Sequence, residues 1–365
     1  MAENNTNTVR EAIQVRYRGR GSQIWVYFGK MLRTFIYQND WKMLPMAALV
    51  AGLVGLVIRL KLFINMEGTL MGAFALACVC IWNGGFNSIQ VICRERDVIK
   101  REHRSGMHIS SYIISHMMYQ ALICLLQTII TIYITSVIGV QYPESGIFTK
   151  WMVVDIGISM FLITYASDML SLWISALSRT STTAMTIMPF VLIFQLVFSG
   201  SVITLPEWAE PFSMATISSP GLNVIASQAD VNNRPFVTIS NMLDQMHDAK
   251  IQHTVTLGEV LEVLRLSGDP QIESVIDSVK ADPEMQEYLG ESVTIDTTVG
   301  QVMEIVGEKE LKEYVEKSAS EVSYKTEYEN TKDNIIEYWG RLAAFIFVYA
   351  LLAMITLEFI DKDKR

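Results

Sequence analysis

Six apolar runs of about twenty residues or more divide the chain, at roughly 45–64, 69–93, 113–138, 151–177, 183–205 and 339–360. At about 1.5 Å of helix rise per residue, some twenty residues cross a ~30 Å hydrocarbon core. The pattern therefore predicts an all-α membrane protein with six transmembrane helices. Ahead of the first run, Ile24, Trp25, Phe28, Met31, Leu32 and Phe35 recur at helical spacing, flanked by Lys30 and Arg33. An amphipathic helix over 21–38 lying at the membrane–water boundary follows from that stripe. Residues 1–20 are polar, read as a flexible N-terminal arm with no apolar leader, so the first span serves as the membrane signal.

The polar stretches between the runs differ in charge. The second and third runs are separated by Arg94–Tyr112, which holds Arg94, Arg96, Lys100, Arg101 and Arg104 among Glu95, Asp97 and Glu102. A mixture of both signs in about three helical turns suits docking on a protein surface better than attraction to anionic lipid. Seven Lys/Arg precede or include Lys42, five lie in 94–109, Arg179 lies in 178–182, and the tail ends DKDKR. The loops at 65–68 and 139–150 hold only Lys150. Cations collect on the cytoplasmic side, so both termini and the 94–109 loop are expected there, in the cell membrane.

Composition sharpens this. The 365 residues are 50% hydrophobic and 18% charged, below the ~25% of an ordinary soluble domain. The net charge of −9 hides two parts: 206–336 has 24 Asp/Glu against nine Lys/Arg, a net of −15, leaving +6 elsewhere. That acidic stretch, between the fifth and sixth spans, is expected outside the cell and argues against a nucleic-acid partner. Its prolines at 206, 211 and 220 predict a segment that dips into the outer boundary rather than crossing it. Beyond it, Thr238-ISNMLDQM, Thr256-LGEVLEVL and Thr298-VGQVMEIV resemble one another, and Thr256 with Glu259, or Thr298 with Gln301, has capping-box spacing. A mainly helical outer domain is the expectation. The domain order becomes 1–20, 21–38, 39–205 with its 94–109 loop, 206–336, and 337–365.

Candidate chemistry is sparse. Cys78, Cys80, Cys93 and Cys124 all lie in apolar runs, where cysteine behaves as a small hydrophobe. His103, His108 and His116 read as solvated or interfacial, and no metal-ligand spacing or phosphate-cradling Gly-rich loop is present. Nothing points to a catalytic centre or a resident cofactor. Asp168, well inside the fourth run, needs a partner, a proton or water; Asp155 is near enough to its edge to be solvated. Trp82, Asn83, Phe86 and Asn87 in the second run, and Phe190, Phe194, Gln195 and Phe198 in the fifth, combine aromatic and amide groups. Such faces suit a pathway for amphiphilic compounds or interhelical packing.

Trp82-x-Gly84-x-x-Asn87, Glu95-Arg96, Arg101-Glu102, Gly106 and Ser111-Tyr112 together resemble the permease domain of G-subfamily-like type 2 ABC exporters. The branch nearest in character is the bacterial one whose ATPase often carries a forkhead-associated domain. Pro189-Phe190, Phe198-Ser199-Gly200, Pro206-x-Trp208 and Ser218-Ser219-Pro220 are similar to that family's fifth span and following outer segment. The resemblance covers 21–225 and 339–360. It implies a connecting helix at 21–38 and a cytoplasmic coupling helix in 94–109, with Glu95, Arg96, Arg101, Glu102, Arg104 and Gly106 receiving or bracing the motion of a separate ABC ATPase subunit. ATP and Mg would sit on that subunit. It also implies a second permease chain, a homodimer in the simplest case, with the second and fifth spans lining the pathway. The outer stretch of over a hundred residues exceeds the family's usual outer loop.

The leading expectation is thus the membrane subunit of an ATP-driven exporter moving an amphiphilic, lipid-like, drug-like or peptide substrate. The alternative is a membrane-anchored sensor or assembly protein whose outer domain binds a protein or cell-wall partner. A carrier driven through Asp168 lacks the inverted repeat that many such carriers show.

Overall fold

The computed structural model describes residues 19–37, 40–200, 205–206, 208–234, 250–256, 258–259, 261, 270–290, 292–298 and 324–359. They fall into two compact units, 1–234 with 324–365, and 235–323.

The first unit is built on α6 (Met152–Leu177), against which α3 (Met66–Ser88), α4 (Val91–Arg104), α5 (Ile109–Ile138), α9 (Ser218–Gln228) and α12 (Lys332–Glu358) all pack. Its sequence explains the position: Ser159, Ala166, Ser167, Ser171, Ser175 and Ala176 are small and fully buried, letting neighbouring backbones come close. The closest approach is at Gly84 of α3, where a Cβ would lie 2.0 Å from the Thr164 carbonyl oxygen. On the far side of α5 lie α1 (Arg20–Tyr37) and α2 (Met43–Ile58).

Local signals set the helix ends. Asn65 accepts from the Gly68 N–H at 2.7 Å at the start of α3, and Gly139, at φ 105°, closes α5 in the left-handed region. The first span stops at Ile58, short of the Ile64 expected from hydropathy, because the chain turns through Phe63 at φ 66°. Arg234 holds that turn, donating to the Phe63 carbonyl at 2.8 Å.

By length and composition, five helices among the described residues are long and apolar enough to cross a membrane. The expected fifth span is a shorter apolar helix, α7 (Ser181–Val197), with Pro189 in its interior. After the short α8 (Glu210–Ser213) comes α9, in which every residue but Ser219 is buried. A helix enclosed by α3, α6 and α12 in this way does not present its backbone to lipid.

The second unit departs from the all-α expectation. Strands β1 (Lys250–Thr256) and β2 (Ser292–Thr298) pair antiparallel, with Lys250 opposite Thr298 and Thr256 opposite Ser292. Between them lie α10 (Pro270–Ala281) and α11 (Pro283–Tyr288), the latter capped by Asp282, which accepts from the Glu284 N–H at 3.0 Å. Thr256 does form the predicted capping box: its N–H donates to Glu259 at 2.9 Å and its hydroxyl accepts from the Glu259 N–H at 3.3 Å. Thr256 and Thr298 each also end a strand, which the repeat alone did not reveal. The Thr238 copy, Gln301 and the stretch after Thr298 lie outside the described residues.

Candidate functional site

The charged run is a helix, α4, that ends at Arg104. Gly106 is its stop signal. At φ 100° its N–H donates to the His103 carbonyl at 3.0 Å, while Met107 donates to Glu102 at 3.0 Å, the two bonds of a Schellman motif. Gly106 is thus a terminator of the helix.

The charges of α4 divide by what they touch. Lys30 of α1 lies 3.5 Å from Glu95 and 3.6 Å from Glu102, two residues stacked two turns apart on one face. Arg96 points the other way and donates to the Ala176 and Ser178 carbonyls at 2.9 and 3.1 Å, at the C-terminal end of α6, where a cation is favoured. Arg94, Asp97, Arg101 and Arg104 lie on the exposed side. Of the six residues singled out by resemblance, Glu95, Arg96, Glu102 and Gly106 therefore brace α4, and Arg101 and Arg104 face outward.

Further ties fix α1 to the start of α5. Gln23 donates to the Gly106 carbonyl at 3.2 Å and accepts from the His108 N–H at 3.0 Å. Ser111 and Ser115 donate to the Arg20 and Ile24 carbonyls, and the Tyr27 and Tyr112 rings meet edge-on at 5.8 Å. Burial, with the Glu102 carboxylate beside it, pushes the Tyr27 phenol up to about 12. Trp25 and Ile36 stay about two-thirds exposed on the outer face of α1, as an interfacial helix requires.

Under α1 lies a cavity of about 50 Å³, bordered by Lys30, Asn87, Glu95, Tyr112, His116 and Gln120, wide enough for one or two waters. Among the described residues, the Tyr112 hydroxyl, His116 Nδ1 and Gln120 Oε1 find no hydrogen-bond partner. His116 was expected to be solvated or interfacial; at 1% exposure it is a core residue. From the cavity a chain of hydrogen bonds runs inward. Gln120 donates to Ser88 at 2.8 Å, and Ser88 donates to Asp168 Oδ1 at 2.7 Å. Asp168 is fully buried, and its second oxygen has no partner among the described residues. Asp155, expected to be solvated, is also buried, and accepts from the Phe148 and Thr149 N–H groups.

A serine stripe on α6 joins it to α3 and α4. Ser167 donates to the Ile81 carbonyl at 2.7 Å, and Ser175 accepts from the Ile92 and Cys93 N–H groups at 3.1 and 3.2 Å. The recurrence Ser167, Ser171, Ser175, Ser178 follows one helix face, a signal present in the sequence and passed over there.

The candidate pathway residues also separate. Trp82 and Phe86 are on the exposed face of α3, edge to face at 5.9 Å, and Phe190 on α7 is 70% exposed. Asn83 is half-buried beside them. Asn87 instead pairs with Gln127 of α5 through two amide bonds of 2.8 and 2.9 Å. Gln195 accepts from the Ile217 and Ser218 N–H groups at 2.8 and 3.2 Å, satisfying the otherwise open start of α9. Phe194, in α7, and Phe198, just past its end, meet at a tilt with ring centres 4.7 Å apart, and Phe198 reaches Phe212. Trp82 and Gln195 do meet, in a cleft of only about 10 Å³. Asn87 and Gln195 are therefore packing residues, and Trp82, Phe86 and Phe190 form the outward aromatic surface.

All four cysteines are free thiols, and no cluster of metal-ligating side chains occurs among the described residues. No curated protein matches the chain. The family model described as ABC-2 type transporter matches residues 5–219, more than half of the chain, from α1 through the start of α9. Members of that family are membrane domains that work with an ABC ATPase. The chain therefore belongs to the ABC-2 type transporter family and is a multi-pass membrane permease subunit of an ABC transporter.

Proposed function

We propose that the chain is the permease half of an ATP-driven exporter of the G-subfamily-like kind, working as a dimer with two ATPase subunits that bind ATP and Mg. Its α4 is the coupling helix, with both termini in the cytoplasm. The observation that carries this reading is the fixing of α4 on two sides, by Lys30 of α1 through Glu95 and Glu102, and by Arg96 on the end of α6. A helix held in this way passes a push to the core as a rigid piece, while Arg94, Asp97, Arg101 and Arg104 remain turned outward to meet a motor. The cation bias of the loops supports the cytoplasmic placement.

The substrate class follows from the exposed aromatic surface of Trp82, Phe86 and Phe190. Faced by its copy on a second chain, it makes an apolar, aromatic-walled passage suited to amphiphiles. The test is ATP hydrolysis and export by the assembled complex in vesicles. Reversing Arg101 to Glu should leave the chain inserted and paired while cutting export per ATP hydrolysed. Unchanged coupling would sink the assignment of this face.

A second role is favoured by one observation, that residues 235–323 form a compact unit of their own. Such a unit suits recognition of a cell-envelope protein or wall component. Deleting 235–323 should then abolish partner capture while export persists; loss of export with capture intact would reverse the assignment.

A further inference from the structure

Between α8, α9 and α12, within the first unit, runs an open groove of about 620 Å³ that lies apart from the aromatic face of α3 and α7. Its wall on α12 includes Tyr338 and Ala344 beside a stripe of Arg341, Phe345 and Val348 at i, i+4 and i+7. Along that stripe the chemistry changes from charged to apolar over about 10 Å of helix rise. Glu210 and Glu327 also line the groove, and among the described residues neither is ion-paired. Arg341 sits over the Tyr338 ring at 5.4 Å and pairs with Glu337, which fixes its guanidinium at the groove's mouth. A guanidinium has five N–H donors, so the pair leaves donors for a further acceptor. Met214 and Val348, exposed by 73% and 50%, continue the apolar end.

We infer that this groove is a binding site for a zwitterionic aminophospholipid of the surrounding bilayer. The phosphate takes the Arg341 donors, the ammonium lies against Glu210 and Glu327, and an acyl chain follows Phe345 and Val348. Charge complementarity selects this occupant. One cation beside two carboxylates that have no ion pair among the described residues repels a purely anionic headgroup, and a quaternary amine cannot donate hydrogen bonds to the carboxylates. The volume matches a headgroup with the first part of its chains.

The test is native mass spectrometry of the full chain in detergent, titrated separately with phosphatidylethanolamine, phosphatidylglycerol and phosphatidylcholine. Unchanged melting temperatures would show that the variants are folded. The wild type should retain phosphatidylethanolamine most tightly. R341Q should weaken it about tenfold, as loss of a charge-assisted hydrogen bond would. V348W should block it by filling the groove, whereas F347W, on an exposed position outside the groove, should not. The double variant E210Q/E327Q should erase the preference for the amine headgroup. Equal retention of all three lipids by the wild type, or R341Q and V348W behaving as wild type, would overturn the proposal. So would disulfide cross-linking between two copies through cysteines placed at 345 and 348, which would make the groove a contact between chains.

Discussion

Gly84 and Thr164 make the closest helix approach at any glycine among the described residues, with room for a hydrogen and nothing larger between them. The obstacle is a backbone carbonyl oxygen, so no rotamer change relieves it. G84A should therefore lower stability by about 1–3 kcal/mol, the usual cost of overpacking a filled interior. Thermal unfolding of the detergent-solubilised chain checks this; a variant as stable as the wild type would mean that the two helices are not so closely packed.

Lys30 predicts a separation of stability from coupling. Its carboxylate partners are about one-third exposed, so each ion pair is worth only about 0.2–1 kcal/mol. K30M should change the melting temperature little, yet reduce export per ATP hydrolysed because α4 is released from α1. E95Q/E102Q should reproduce the defect, and K30M added to it should do no further harm. Additive losses would show that Lys30 acts elsewhere.

The Asn87–Gln127 amide pair is buried on both sides. N87L alone strands the Gln127 amide and should cost about 1 kcal/mol, while N87L/Q127L should recover most of it. A double variant no better than N87L would show that the pair does more than satisfy itself.

Tyr27 gives a pH dependence. Its phenol has a folded pKa of about 12 against an ordinary value near 10. The folded state therefore holds the proton longer, and the contribution is complete below pH 10 and lost as pH rises toward 12. Detachment of α1, followed by a fluorophore on a cysteine placed at 36, should occur in that window and vanish in Y27F. A transition unchanged by Y27F would assign it to another group.

The sequence carried the apolar runs and the charge run, because each depends on neighbours in the chain. It did not carry the partners. Nothing local tells Lys30 that Glu95 and Glu102 lie on a helix more than sixty residues away, or that Asn87 will face Gln127 rather than a pathway. Hydropathy could not separate Gln195, capping α9, from the aromatic residues beside it, since the choice of face is made by packing. His116 was misjudged because it stands close to the charge run in sequence while its helix face turns inward. The strands were readable: Ile251, Thr254 and Val255, then Val293, Thr294, Ile295 and Thr297, are β-branched. Thr256 and Thr298, the last residue of each strand, also carry capping-box spacing, which points to helices instead.

The bond from Gln195 to the start of α9 has a mechanical consequence. Two N–H groups in a dry interior depend on one side chain from α7, so α7 cannot swing away without carrying α9 or leaving those donors bare. The proline at 189 removes one backbone hydrogen bond midway along α7, leaving the helix free to bend there. The end of α7 near Gln195 is thereby tied to the start of α9, so a bend at the proline would displace the two together.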